Sequence, residues 1–183
     1  MINESFTKIE NREQKTCETC LSVCLMVTLK SKGLEVKDED EMKILVEGLK
    51  LFKLDFAVGQ LIYVCKTFDV NIKLFIDSPL YYKILSKYDY PKNLELVTKR
   101  IDNMLLREMV KNKPLIVYVD KYYIDKIYHF PHFIVLEYMN KNKTIIMDPW
   151  DGKKKTLPSK ILSRAISSLR NKLKISPKLI EVS

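Results

Sequence analysis

Apolar residues run almost unbroken through CLSVCLMVTLKSK, residues 20–32, until Gly33 stops them. A helix that is hydrophobic all round is a buried one, so the run predicts a central helix with Thr19 at its N-cap and Gly33 past its C-terminal end. KDEDEMKILVEGLK (37–50) sets acids in the first turn of a second helix, where the helix dipole favours them, and AVGQLIYVCKTF (57–68) predicts a third. NIKLFID (71–77) alternates and reads as a strand. Pro79 opens a short helix through YYKILSKY. NLELVTKRIDNMLLREMVKN (93–112) repeats apolar residues at helical spacing for about five turns.

From Pro114 the pattern changes. LIVYVD (115–120), HFIVLEYM (132–139) and TIIMD (144–148) are β-branched and aromatic runs, and Asn140 to Lys143 supplies a hairpin turn between the last two. A helix over SKILSRAISSLRNK (159–172) and a strand at KLIEV (178–182) close the chain. Helices come first and a largely antiparallel sheet follows, which is an α+β pattern.

The chain has 183 residues, with neither an internal repeat nor a Gly/Ser linker, and only four glycines. One domain over residues 1–183 is the expectation. The start, MINESFTKIENREQK, is polar with no apolar signal region, and no apolar run reaches membrane-spanning length. Three of the four cysteines crowd at Cys17, Cys20 and Cys24, with Cys65 alone, unlike a disulfide-stapled framework. A reducing, cytoplasmic setting is expected. The net charge of +9 is uneven: residues 141–183 hold eleven Lys or Arg against Asp148, Asp151 and Glu181, which is 11 − 3 = +8. Such a basic C-terminal region is either a solvated face or an attraction for an anionic partner, although no nucleic-acid-binding motif accompanies it.

Nucleophilic thiol chemistry needs an activated cysteine, a base, a group that orients the base, and donors for an oxyanion. Cys20 falls in the first turn of the buried helix, where free amides and the dipole favour a thiolate, so position alone is expected to activate it. His132 opens the strand 132–139, and Asp148 ends its hairpin partner. The two positions average to 140, beside the turn, which places them opposite or diagonal and suits an Asp that fixes the imidazole tautomer. Gln14, six residues before Cys20, can supply a side-chain amide beside the Cys20 N–H.

The run from Gln14 through Cys20 to Cys24 resembles the signature of the C39 family of papain-like cysteine peptidases, a Gln, five residues and a Cys, often with a second Cys four positions on. His132-Phe-Ile-Val-Leu and Asp148-Pro149 with Gly152 are similar to that family's catalytic strand and turn, in the same order. The resemblance implies a papain-like α+β fold and hydrolysis of a peptide or protein substrate through an acyl-enzyme, with Cys20, His132 and Asp148 as a triad and Gln14 in the oxyanion hole, and no cofactor or metal. The family's best-known members remove leader peptides after a double glycine on export ATPases; with no membrane segment or phosphate-binding loop here, a freestanding relative is implied. Leu21 stands where the family commonly has a small residue, which implies a narrower cleft.

Taken singly, each residue has a plainer reading. Cys24 and Cys65 read as small buried hydrophobes. A Cys17–Cys20 redox pair or a metal held by the three clustered cysteines lacks a second cysteine pair to support it. His129 is the rival base, but Pro131 leaves only His132 on the strand proper. Trp150 is core or a lid over the His–Asp pair, and residues 121–130 form a loop before His132 that either lines the cleft or packs on the surface. Two alternatives to a hydrolase stay open: a papain-like acyltransferase, and a non-catalytic papain-fold module binding nucleic acid or an acidic partner through the basic C-terminal region.

Overall fold

A computed structural model describes residues 8–183. Three helices come first: α1 (Cys20–Ser31), α2 (Asp40–Leu51) and α3 (Phe56–Phe68). After β1 (Ile72–Ile76) and α4 (Pro79–Leu85) come β2 (Leu94–Thr98), α5 (Asn103–Met109), β3 (Leu115–Asp120) and the one-turn α6 (Tyr122–Asp125). The chain ends with β4 (Pro131–Met139), β5 (Lys143–Asp148), β6 (Lys153–Pro158), α7 (Ser159–Asn171) and β7 (Lys178–Val182). The α+β class expected from the sequence is observed.

One seven-stranded sheet runs in the order β2-β1-β7-β3-β4-β5-β6, and every pairing except the parallel β1–β2 is antiparallel. Alternate residues of the inner strands feed two separate cores. Ile116 and Tyr118 of β3, with Phe133 and Val135 of β4, join the apolar surfaces of α1, α3 and α2. Leu115, Val117 and Val119, with Ile134 and Leu136, face the cluster built with α5 and α7. The sheet is therefore covered on both sides, which explains why these strands read as continuous apolar runs. Gly59 lets α3 lie directly on α2: a Cβ there would sit 2.2 Å from the Gly48 carbonyl oxygen.

The segment 93–112 departs from expectation. It is not one helix but β2 followed by α5, because Leu94 to Thr98 pairs in register with β1 and Asp102 then starts a new helix. Its carboxylate accepts the Met104 and Leu105 amides at 2.9 and 3.0 Å, a cap that separates the two elements. The strand β6 was not expected at all. Its run of three lysines lies at the sheet edge, where charge discourages further pairing.

The hairpin of β4 and β5 fixes the site. Asn140 Oδ1 accepts the Asn142 and Lys143 amides, both at 2.8 Å, and closes the turn. Val135 pairs with Met147, with a register shift between Leu136 and Tyr138. That register leaves His132 and Asp148 as diagonal neighbours on adjacent strands, within reach of long side chains.

Candidate active site

The N-terminus of α1 meets the start of β4. Cys20 is the first residue of α1, only 6% exposed, and the Phe133 amide of β4 is among the backbone donors that face its sulfur, with those of Leu21 and Cys20 itself. These amides favour a thiolate, but burial outweighs them: the thiol is pushed up to about 11, and the nearby charge of Asp148 acts in the same direction as burial. The expectation that position alone activates Cys20 is thereby corrected. Among the described residues no hydrogen bond joins the Cys20 sulfur to the His132 ring.

Thr19 holds the N-cap position but does not cap. Its hydroxyl instead donates to Glu41 at 2.7 Å, with the Thr16 carbonyl 3.0 Å away, and Glu41 also accepts the Lys15 amide at 2.6 Å. Glu41 is fully buried, so this carboxylate of α2 anchors the lead-in that delivers Cys20.

His132 Nε2 lies 2.8 Å from Asp148 Oδ1, and both residues are buried. Asp148 Oδ1 also accepts the Trp150 amide at 3.0 Å, while Oδ2 meets Lys155 Nζ at 2.6 Å and Lys121 Nζ at 3.0 Å. Lys121 is 0% exposed and pairs with Asp125 as well. Burial raises the carboxyl's tendency to hold a proton, but the His132 bond and the two ammonium groups prevail and hold Asp148 well below the usual carboxylate range. His132 moves down, chiefly through burial, with Lys121 pushing in the same direction against the pull of Asp148.

Gln14 is in the lead-in loop, held there by its amide, which donates to the Pro149 carbonyl at 2.7 Å. Its side-chain Nε2 donates to the Thr16 carbonyl at 2.7 Å, and its Oε1 is buried without a partner among the described residues. Thr16 O fixes which end is nitrogen, since an oxygen there would face another oxygen. The carboxamide thus has one N–H committed to its own loop and one left over. Gly152 makes this junction possible: its φ is +65°, and a Cβ would lie 2.7 Å from the Glu13 amide nitrogen. A groove of about 270 Å³ opens here, lined by Glu13, Gln14, Lys15, Thr16, Cys17 and Trp150. Trp150 stands edge-on to the His132 ring at 6.2 Å and is 38% exposed, so it walls the groove rather than the core. Leu21 is not in that wall. It is fully buried in the core, and the expected narrowing of the cleft by its side chain does not occur.

No protein-family model matches this chain, and no curated protein matches it. His129 is engaged elsewhere: Nδ1 meets Asp120 Oδ2 at 2.7 Å, Nε2 meets Lys172 Nζ at 2.6 Å, and the ring stacks on Tyr122. The four cysteines are free thiols, Cys17 exposed and the other three buried, and no group of metal-ligating residues converges among the described residues. No helix among them is long and apolar enough to cross a membrane.

Lys121, Lys155 and Glu41 escaped the sequence reading. Only Glu41 leaves a local trace, as a carboxylate one turn before the buried Ile44 on the same helix face. The basic C-terminal region is less free than its sequence suggests. Lys154, Lys155, Arg170 and Lys178 are bound to Glu137, Asp148, Asp77 and Asp55.

Proposed function

We propose that this chain is a papain-like cysteine hydrolase of peptide or other amide bonds. Cys20 is the nucleophile, His132 the base, Asp148 the group that orients it, and Gln14 a donor to the oxyanion beside the Cys20 and Leu21 amides. The observation that carries the reading is the buried His132–Asp148 pair at 2.8 Å, set where the tip of α1 presents a thiol to the same strand. The resemblance of Gln14, Cys20, His132 and Asp148 to the C39 peptidase signature supports it, and the pairing of C-terminal cations with acids weighs against a module that binds through a free basic face.

With Nε2–H given to Asp148, the lone pair of His132 is on Nδ1. The resting site is a neutral thiol and a neutral imidazole. As Cys20 sulfur attacks the substrate carbonyl, its proton passes to Nδ1 and the carbonyl π pair moves to oxygen, where backbone amides and the free Gln14 N–H receive it. Collapse of that intermediate breaks the C–N bond; the amine leaves with the Nδ1 proton, and a thioester remains on Cys20. Water then attacks the thioester, Nδ1 takes its proton, and the carboxylic acid and the thiol are released.

Cys17 is the exposed thiol and would dominate any bulk labelling, so the test uses Cys17→Ser chain and locates the adduct by peptide mapping. Iodoacetamide should label Cys20 about tenfold or more slowly once His132→Ala is added. Equal labelling rates with and without His132 would remove the catalytic assignment.

A further inference from the structure

We propose that Lys121 is a positioning residue of this thiol site: acting through Asp148, it keeps the His132 imidazole neutral, so that the Cys20 proton moves only as a carbonyl is attacked. The inference rests on the hydrolase reading and deepens it.

An ammonium with no solvent exposure is costly to place and is retained only where carboxylates surround it. Lys121 meets that condition with two, Asp125 on α6 and Asp148 at the end of β5. An Asp bound to an imidazole alone strongly favours the imidazolium, and the usual product is a thiolate–imidazolium pair at rest. Here the carboxylate is shared. Its Oδ2 carries Lys121 and Lys155 together, so little of its charge remains for a protonated ring.

Titratable groups face the pair from three parts of the fold. Lys121 and Asp125 face the pair from the segment after β3, Lys155 and its second partner Asp151 from β6 and its turn, and Cys20 and Cys24 from α1. Lys121 opposes and Asp125 favours a charge on His132, in keeping with their signs. The main influences on the Cys20 thiol are burial, the three backbone amides and Asp148, without either of those two residues. Lys121 therefore acts on the base more than on the nucleophile. Its ammonium is also 5.7 Å from the centre of the Trp150 ring, which stands edge-on to His132, so one lysine braces both the carboxylate and the aromatic wall.

The test is the pH profile of Cys20 alkylation by iodoacetamide between pH 5 and 10, in full-length Cys17→Ser chain. Lys121→Met should raise the near-neutral plateau of the profile, making labelling at pH 7 about threefold faster, because an imidazole that holds its proton about half a pH unit more tightly raises the thiolate–imidazolium share by that factor. Lys121→Arg should restore it. Asp125→Asn should move it the other way and slow labelling, because the Lys121 charge then rests on Asp148 alone. Opposite shifts are the signature, since a loosened fold would accelerate labelling in both variants. Unmoved profiles, or shifts in one common direction, overturn the inference, and if Lys121→Met does not fold, the Asp125→Asn arm decides alone. Loss of His132 dependence sinks the hydrolase reading itself. His132 dependence without a Lys121 effect sinks only this inference.

Discussion

The chain contains two histidine–aspartate pairs at nearly the same distance, 2.8 Å for His132–Asp148 and 2.7 Å for His129–Asp120. What lies beyond each ring separates them. The outer nitrogen of His129 is met by Lys172 at 2.6 Å, its side chain is 25% exposed, and its aspartate also binds Ser168 at 2.5 Å. Both ring nitrogens are taken, so the pair is a surface clasp joining the end of β3 to α7. Among the described residues His132 is bonded through Nε2 alone, and it sits where α1 presents Cys20 to β4. A carboxylate behind an imidazole makes a base only if the front nitrogen has something to deprotonate. The two pairs teach that this requirement is set by the neighbouring elements rather than by the pair.

The sharpest contrast is expected in stability. Asp148→Ala strands the buried Lys121 ammonium with Asp125 as its one remaining carboxylate and leaves the His132 and Trp150 N–H groups unpaired. It should cost about 3–5 kcal/mol in urea unfolding, as breaking a buried ion pair does. Asp120→Ala should cost less, about 1–3 kcal/mol, because His129 can turn to water. Equal losses would erase the distinction.

The next effect is on pH. Burial, reinforced by Lys121, keeps the folded His132 ring neutral in a range where a free imidazole, with a pKa of about 6.5, takes a proton. Below that point the unfolded chain binds a proton that the folded chain does not, so stability should fall as pH falls from about 7 to 5.5. His132→Ala should flatten this slope. The low-shifted Asp148 adds a second loss at more acid pH: its stabilisation is complete above about pH 4 and disappears as pH drops through its folded value. The smallest effect is a null one. Lys172→Met frees the outer nitrogen of His129 yet should leave Cys20 alkylation within about twofold of the parent, as expected for a surface change away from the site. A larger change would couple the two pairs.

Much of this is legible in the amino-acid sequence itself. The apolar run from Cys20, the Asn140 turn and the β-branched runs around it specify α1 and the β4–β5 hairpin through local chemistry, and they bring Cys20, His132 and Asp148 to one end of the sheet. The pattern of residues 93–112 misleads because β2 exists by pairing with β1, a non-local contact, while its apolar spacing also fits a helix. Gln14 was located correctly in the lead-in, but its carboxamide hydrogen-bonds Thr16, which spacing alone does not reveal. The state of the thiol was not legible either. A helix N-terminus favours a thiolate, and only the packing of Cys20 into the core determines that burial wins. Lys121 follows an apolar strand in a lysine-rich sequence and looks like any surface lysine; its partners Asp125 and Asp148 become visible only in three dimensions.

The proposed chemistry requires a neutral imidazole whose proton is on the Asp148 side. Nitrogen-15 NMR of the His132 ring at pH 7 reads that state directly. The expected result is the neutral ring protonated at Nε2 with a bare Nδ1, charging only as pH falls below the usual imidazole range. An imidazolium at pH 7, or a neutral ring carrying its proton on Nδ1, would contradict it.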